Sequence, residues 1–256
     1  NIGIDHLNWC KTLDNYIRTK AELLVGLKNK GHIIINNDDE NIKKIDFSNY
    51  EGKIITFGTN NKSDYFGKDI RQIDNNVTFT LVKNNREYNV EVPGNGSHNV
   101  YNALAALASL DILGMSLEQA IYYLSKYKPI RSHTEIKKGI NKSIIIDDTW
   151  SSNPTSVRAA LEVLTNIGKN KTKIAVLGKI SYLGKFKKEL YKQIAKDIIS
   201  NNVNVLITID EDAKKIGKYA NDLGMMPTNI FATKTKEELT SLLKKLLNQN
   251  AVALFK

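Results

Sequence analysis

Three polar segments contain the residue types that metal and phosphate chemistry use. The first, residues 1–7 (NIGIDHL), places Asp5 and His6 just before a helical pattern that contains Lys20. A carboxylate, an imidazole and a lysine near the end of a strand could form a metal and phosphate site. By spacing alone the signal is weak, because a single histidine at a strand end is more often structural and a lysine within a helix usually faces solvent.

The second segment is a glycine-rich loop that opens a helix, residues 93–102 (PGNGSHNVYN). Such a loop directs free backbone N–H groups at a ligand from the positive end of the helix dipole, which favours phosphate. Asn99 and Asn102 lie three residues apart on one helix face, where their amides could contact a base or a ribose. Asn99 occupies the third glycine position of a dinucleotide fingerprint, so a dinucleotide site is not expected. Spacing alone favours a simple capping loop.

The third segment, residues 146–156 (IDDTWSSNPTS), follows a strand pattern that is buried. Asp147 and Asp148 leave the carboxyl end of this strand, where ligands bind in open α/β sheets. Burial of two adjacent carboxylates is costly, so both must be solvated or engaged. Ser152 or Asn153 can cap the next helix. Capping explains neither the two aspartates nor Trp150, and the segment therefore favours a functional site.

Several classes of protein are excluded. The sequence has no P-loop motif, no serine–histidine–aspartate arrangement in a recognisable context, and four histidines without paired metal-ligand spacing. The single cysteine, Cys10, argues against a disulfide-stapled secreted protein. The sequence contains no run of 18 apolar residues, so it predicts no membrane-spanning helix. With 41% hydrophobic and 25% charged residues, the composition is that of a globular protein.

The chain is basic, with 37 Lys and Arg against 27 Asp and Glu and a net charge of +10. A basic surface could face nucleic acid. The lysines are scattered over the polar sides of helical patterns, however, without an aromatic-interleaved stripe. Compositional bias toward Lys, Asn and Ile explains them better, and nucleic-acid binding is not expected.

Strand and helix patterns alternate in the second half. Strands are predicted at residues 143–147, 173–178, 203–210, 229–232 and 251–255, and helices at 153–167, 187–200, 212–223 and 236–247. This alternation predicts βαβ units and an open α/β domain with a parallel sheet.

The first half is less regular. A helix is predicted at residues 12–27, strands at 32–36 and 53–58, and a hairpin at 73–92 around Asn84 and Asn85. Helices are predicted at 99–113 and 116–127, the second with a capping box of Ser116 and Gln119. The break at Pro129 predicts two domains, residues 1–129 and 130–256.

In order, these segments resemble the Mur ligase family, the ATP-dependent amide ligases of peptidoglycan synthesis. NIGIDHLNWCKTLDNYIRTKAELL resembles the family's DHL segment and the helix with its carbamylated lysine. Three further motifs of the family are resembled by HIIINNDDE, GSHNVYNALAALA and KPIRSHTEI. The first has Glu40 where proline is usual, and the third has Ile130 in place of glycine. IIIDDTWSSNPTSVRAALEVL resembles the branch that adds D-alanyl-D-alanine, and KIAVLGKISYLG does so only at its ends.

The resemblance implies a fragment that begins after the P-loop of a three-domain ligase. Residues 1–129 would be the latter part of the central ATP-binding domain, and residues 130–256 the C-terminal Rossmann-like domain. The implied cytoplasmic enzyme uses ATP and Mg²⁺ to convert a carboxylate of a UDP-muramoyl-peptide to an acyl phosphate, which an amino acid or dipeptide amine then attacks. The isolated chain, without a P-loop, is expected to be inactive.

The resemblance also implies roles for individual residues. His6 and a carbamylated Lys20 would bind Mg²⁺, Asn99 and Asn102 the nucleotide, Arg131 its phosphates, Asp147 or Asp148 its ribose, and Trp150, Ser152 and Asn153 the incoming amine. Arg131 is expected to face the two aspartates across a mobile interdomain cleft.

The branch differs at Trp150, Ser152, Lys179 and Ser181, so the amine is left open. Two alternatives remain: a related ligase that acts on another acidic precursor, and a non-catalytic module that binds a nucleotide or a partner.

Overall fold

Two separate sheets organise the chain. The computed structural model describes residues 1–27 and 31–256, which divide into two compact units. The first unit comprises residues 1–3 and 10–129, and the second comprises residues 4–9 and 130–256. Segment 4–9, which carries Asp5 and His6, belongs to the second unit because Leu7 is buried in that unit's core and Ile4 packs against it.

The first unit is built on a five-stranded sheet in the order β1-β2-β3-β4-β5. Strands β1, β2 and β3 are parallel, and β3, β4 and β5 are antiparallel. The buried face of the sheet packs against α3 through Val100, Leu104 and Leu107. The elements in this half of the chain are α1 (Leu7–Cys10), α2 (Leu13–Ala21), β1 (His32–Asn36), β2 (Lys53–Gly58), β3 (Tyr65–Ile73), β4 (Asn76–Lys83), β5 (Arg86–Pro93), α3 (His98–Ile112) and α4 (Leu117–Leu124).

The predicted hairpin is confirmed, and its turn has the expected chemistry. Asn84 and Asn85 both have positive φ, +49° and +60°. Asparagine tolerates this conformation, and such a two-residue turn matches the twist of the flanking strands. Ser116 caps α4 by accepting the N–H of Gln119 at 3.3 Å.

Two features of the first half differ from the prediction. The helix predicted to reach residue 27 ends at Ala21 and continues as a 3₁₀ segment, Glu22–Gly26, because no residue of that segment is buried to support an α-helix. Strand β3 was not predicted. A bulge between Lys68 and Arg71 interrupts its register and hides its alternation in the sequence.

The second unit contains a six-stranded sheet in the order β10-β9-β8-β11-β7-β6. The five predicted strands run parallel, which confirms that prediction, and β6 adds an edge strand that pairs antiparallel with β7. Strand β6 was missed because its sequence, EIKK, is short and half charged. The elements are β6 (Glu135–Lys138), β7 (Ile144–Asp147), α5 (Pro154–Ile167), β8 (Thr172–Leu177), α6 (Lys187–Ser200), β9 (Val205–Thr208), α7 (Lys214–Asp222), β10 (Ile230–Ala232), α8 (Lys236–Leu246) and β11 (Ala251–Phe255).

Helices cover both faces of this sheet. In β8, Ala175 and Leu177 pack with α5, α6 and α7, whereas Ile174 and Val176 pack with α8. Burial on both faces explains why these strands read as continuous apolar runs. None of the helices in residues 1–27 and 31–256 is long and apolar enough to cross a membrane.

Candidate functional site

A cleft of about 640 Å³ opens at the carboxyl edge of the second sheet. It is lined by residues that follow β7, β8 and β9, by the end of β11, and by Asp5 and His6. Parallel strands bring their carboxyl ends to one edge of a sheet, and ligands bind there in open α/β domains. The third polar segment of the sequence therefore lies at a cleft of ligand size.

The loop after β7 is held by the cap of α5. The side chain of Asn153 accepts the N–H of Ser156 at 2.8 Å, and Ser156 Oγ accepts the N–H of Asn153 at 3.1 Å, which completes a capping box. Asn153 Nδ2 also donates to Asp5 Oδ2 at 3.2 Å. Asn153 thus fixes both the helix start and segment 4–9 beside the cleft.

Trp150 and Ser152 present unused contact surface to the cleft. The Trp150 side chain is 74% exposed, and its ring lies 5.7 Å from that of His133. Ser152 Oγ is buried without a hydrogen-bond partner among the described residues. A buried hydroxyl without a partner is costly, so a ligand that supplies one gains affinity.

The Asp147 side chain is tied to its neighbours. Its Oδ2 accepts Lys137 Nζ at 2.5 Å and Ser132 Oγ at 3.2 Å, and its Oδ1 accepts Thr149 Oγ1 at 2.7 Å. Burial alone raises the pKa of Asp147, but Lys137 and Thr149 outweigh it and hold the pKa below its ordinary value. Asp147 is therefore an anion at the carboxyl end of β7 at neutral pH.

Asp148 forms a buried ion pair. Its Oδ2 lies 2.6 Å from Lys256 Nζ, and its Oδ1 accepts the N–H of Thr134 at 3.0 Å. The side chains of Asp148 and Lys256 are 11% and 2% exposed. Both carboxylate oxygens are thus used inside the protein, and the structure gives Asp148 a role in joining β11 to the strand end of β7.

Arg131 is exposed and belongs to the same unit as both aspartates. Its carbonyl oxygen accepts a hydrogen bond from His133 Nδ1 at 2.9 Å. The expectation that Arg131 faces Asp147 and Asp148 across an interdomain cleft is therefore wrong, because Arg131 and both aspartates belong to the same unit.

In the first unit, Asn99 and Asn102 lie on the first turns of α3. Asn99 Nδ2 donates to the carbonyl of Asn95 at 2.9 Å, whereas the Asn102 side chain is exposed. Gly94 has φ +133°, and a Cβ there would lie 3.0 Å from Asn99 Nδ2. The loop thus needs glycine at this position, and Asn99 serves as part of its cap.

His6 and Lys20 belong to different units. His6 has φ +52°, and its ring stacks on that of Tyr182 with centroids 5.2 Å apart. Lys20 is exposed on α2, with Nζ 5.4 Å from the Tyr16 ring centroid. Nowhere in residues 1–27 and 31–256 do three His, Cys, Asp or Glu side chains group as for a metal ion.

Sequence reasoning gave no role to Asp38, which joins the ends of β1 and β2. Its carboxylate accepts the N–H groups of Thr59, Asn60 and Asn61 at 2.6–3.0 Å and the Tyr101 hydroxyl at 3.0 Å. Burial alone raises the pKa of Asp38, but these donors lower it below its ordinary value. The signal was present in the sequence as an aspartate and a polar run after two neighbouring parallel strands.

Replacing Tyr101 with phenylalanine is expected to raise the pKa of Asp38 while leaving it below its ordinary value, because the three N–H donors remain. A lowered folded-state pKa stabilises the protein above the unfolded-state pKa of about 4, and this contribution is lost as pH falls through the folded-state pKa. NMR titration of the Asp38 carboxyl carbon measures the shift. Tyr88→Phe on β5 is the control, and an equal shift there contradicts the assignment.

Comparison with known proteins places both units. Residues 1–110 match the family model "Mur ligase middle domain", and residues 134–256 match "Mur ligase, glutamate ligase domain". The UDP-N-acetylmuramoyl-tripeptide–D-alanyl-D-alanine ligase of Buchnera aphidicola subsp. Baizongia pistaciae is 29% identical over 254 residues, which cover 99% of this chain and 54% of the relative. The UDP-N-acetylmuramate–L-alanine ligase of Caldanaerobacter subterraneus subsp. tengcongensis is 29% identical over 170 residues, 65% of this chain and 36% of the relative.

Solved structures of similar proteins share the fold of this chain. MurF from Acinetobacter baumannii superposes with a TM-score of 0.87 and 27% identity, covering 100% of this chain and 55% of that one. MurF ligase from Thermotoga maritima in complex with ADP has a TM-score of 0.83, covering 100% of this chain and 56% of that one; its 20% identity supports the fold alone. The chain spans about half the length of these proteins.

Proposed function

Because this chain belongs to the Mur ligase family, we propose that it supplies two parts of an ATP-dependent amide ligase. Residues 1–129 are assigned to the latter part of the central ATP-binding domain, and residues 130–256 to the C-terminal domain. The observation that carries the proposal is the cleft at the carboxyl edge of the second sheet, with its unpartnered Ser152 hydroxyl and exposed Trp150.

The proposed reaction joins a carboxylate of a UDP-muramoyl-peptide, or of UDP-N-acetylmuramate, to an amine in the cytoplasm. ATP transfers its γ-phosphoryl group to the carboxylate, and the amine then attacks the acyl phosphate and releases phosphate. The amines proposed are D-alanyl-D-alanine and L-alanine, which the names of the relatives specify. The cleft, with Trp150, Ser152 and Asn153, is assigned to the amine.

The nucleotide-binding roles follow the chemistry of the exposed groups. Asn102 is free to contact a base or ribose, and Asn99 retains its carbonyl oxygen as an acceptor. Arg131, which is exposed, would add positive charge for phosphate, and Asp147 can accept a ribose hydroxyl. Asp148 is a weaker candidate because both its oxygens are engaged.

Mg²⁺ is a further part of the proposal. When bound, the ion neutralises charge on the phosphates during transfer. His6 and a carbamylated Lys20 are the ligands proposed from this chain, since carbamylation replaces the lysine cation with a carboxylate that suits magnesium. These two ligands would leave positions for oxygens of the nucleotide, of water or of the rest of the full-length protein.

The test uses the full-length product of the gene that contains this chain. ATP, UDP-N-acetylmuramoyl-tripeptide or UDP-N-acetylmuramate, and either amine are supplied together, and phosphate release and the mass of the product are measured. The expected result is ATP-dependent amide formation with one pair. The 256-residue chain, whose sequence has no P-loop, is the inactive control. ATP binding without product for any pair would instead favour a non-catalytic module.

A further inference from the structure

A second concave surface of the second unit, a groove of about 520 Å³, lies between α6 and α7. Three lysines of α6, Lys188, Lys192 and Lys196, line one side of it, and Lys218 of α7 lines the other. All four lysines are exposed. The groove shares no lining residue with the cleft at the carboxyl edge of the sheet. It is therefore a separate surface, in which the fold gathers lysines that the sequence distributes over two helices.

The positive charge of this groove is not neutralised within the second unit. Its four lysines form no ion pair with the part of the chain that the structure describes, residues 1–27 and 31–256. The neighbouring Lys187 and Lys215 differ, since both pair with Asp212, at 2.5 Å and 3.2 Å. The lining contains one carboxylate, Asp222. Four ammonium groups and one carboxylate leave the groove with three positive charges, which an anionic partner can neutralise.

The lysines of α6 have the repeat of a helix. Lys188, Lys192 and Lys196 are four residues apart, so they lie on one face of α6. Their spacing along the helix axis is about 6 Å from one lysine to the next. A second α-helix with a glutamate at every fourth position has the same spacing, and helices commonly pack side by side along such rows. The row of lysines thus matches a row of carboxylates on another helix.

Apolar surface accompanies the charges. Leu223, at the end of α7, is 43% exposed and lines the groove. The partly buried ring of Tyr219 lies beside it in the chain direction of α7 and faces Lys192, with Nζ 5.7 Å from the ring centroid. An apolar side chain gains by contact with Leu223. An amphipathic helix brings apolar side chains and carboxylates on one face, and such helices bind in grooves of this kind.

Other anions fit the groove less well. Single-stranded nucleic acid stacks its bases on open aromatic faces, whereas the Tyr219 ring is partly buried and faces an ammonium group. A polyphosphate gains nothing from Leu223 and is repelled by Asp222. Binding to a lipid surface uses an apolar face that inserts among the acyl chains, whereas Leu223 lies in a groove.

We propose that the groove between α6 and α7 docks an acidic amphipathic helix of a partner protein. The glutamates of that helix pair with the four lysines, and an apolar side chain contacts Leu223. Asp222 repels a carboxylate placed beside it and so limits the positions in which the helix can bind. Docking at this surface does not depend on the ligase reaction, because the groove is separate from the cleft assigned to the amine.

The test measures binding of a fluorescent synthetic helix to the full-length gene product by anisotropy. The peptide, about 18 residues of alanine and leucine with glutamate at every fourth position, is compared with a matched peptide that has glutamine at those positions. We expect the glutamate peptide to bind about tenfold more tightly or better, because several exposed ion pairs add together. Its affinity should fall as salt is added, because salt screens exposed charges.

Matched variants assign the binding to the groove. The double variant Lys192→Gln with Lys196→Gln should weaken binding of the glutamate peptide about three- to tenfold. The control is Lys244→Gln with Lys245→Gln, which removes two exposed lysines from α8 on the other face of the sheet and should change the affinity less than about twofold. An equal loss in both double variants, equal affinity for the two peptides, or no binding of the glutamate peptide overturns the inference.

Three further probes distinguish the kind of anion: tripolyphosphate, an oligothymidylate, and vesicles of phosphatidylglycerol. Weaker binding of all three than of the glutamate peptide supports an acidic helix as the partner. A probe that binds more tightly than the peptide, and loses affinity in Lys192→Gln with Lys196→Gln, would assign the groove to that anion and overturn the inference.

Discussion

Replacement of Lys20 by alanine in the full-length protein is expected to lower ligase turnover by about a hundredfold or more, the typical loss when one stabiliser of the transition state is removed. Under the proposed function, the carbamylated lysine organises magnesium beside the transferring phosphoryl group. Lys20 is exposed on α2, and Tyr16, whose ring its ammonium faces, stays buried with Ile2 and Ile17, so the variant should fold normally. Turnover is measured by phosphate release at saturating substrates.

Added short-chain carboxylic acids should restore part of the activity of Lys20→Ala, because they return the missing oxygen ligands. Arg18→Ala is the matched control, since Arg18 is also a cation exposed on α2. Wild-type turnover in Lys20→Ala, or an equal loss of turnover in Arg18→Ala, would contradict the assignment of Lys20 as the carbamylated magnesium ligand. Rescue that also occurs in wild type would show a general salt effect.

Replacement of Asp148 by alanine is expected to destabilise the second unit by about 3–5 kcal/mol, the usual cost of leaving one partner of a buried ion pair alone. The ammonium of Lys256 would remain buried, and the N–H of Thr134 would lose its acceptor. Native-state hydrogen exchange at the amides of β8 and β11 measures the loss for this unit separately from the first.

The controls separate the charge from the packing. The double variant Asp148→Asn with Lys256→Met removes both charges and should recover most of the stability, because the Asn oxygen still accepts from Thr134. Asp147→Ala should cost less, about 1 kcal/mol, since its partner Lys137 is 44% exposed. A loss below about 1 kcal/mol for Asp148→Ala would mean that water or a shifted lysine compensates.

The sequence predicted those elements whose signals are local. Helix α5 begins at the residue that Asn153 and Pro154 indicate, and the parallel strands read as apolar runs because helices cover both faces. Strands β3 and β6 carried no such pattern. The bulge at Lys68–Arg71 shifts the alternation of β3, and β6 is held mainly by pairing with β7 at the sheet edge.

The candidate site, too, could be predicted only where its signals are local in the sequence. Residues 146–156 could be assigned to a ligand-binding edge because strand and helix signals flank them. The ion pair of Asp148 could not be predicted, because its partner Lys256 lies 108 residues away in the sequence and no local pattern indicates the pairing. The position of Asp5 and His6 depends likewise on distant contacts, such as the N–H of Asn8 donating to the carbonyl of Tyr182 at 3.3 Å.

Segment 4–9 has a practical consequence for dividing the protein. The chain passes from one unit to the other after Gly3, after Trp9 and after Pro129, so a single cut cannot separate the two units. A fragment that starts at Ile130 lacks Leu7, which is only 4% exposed. Apolar surface near Leu183 and Gly184 would then be exposed to solvent. A synthetic peptide of residues 4–9 should therefore bind to that fragment and cover the apolar surface that Leu7 buries.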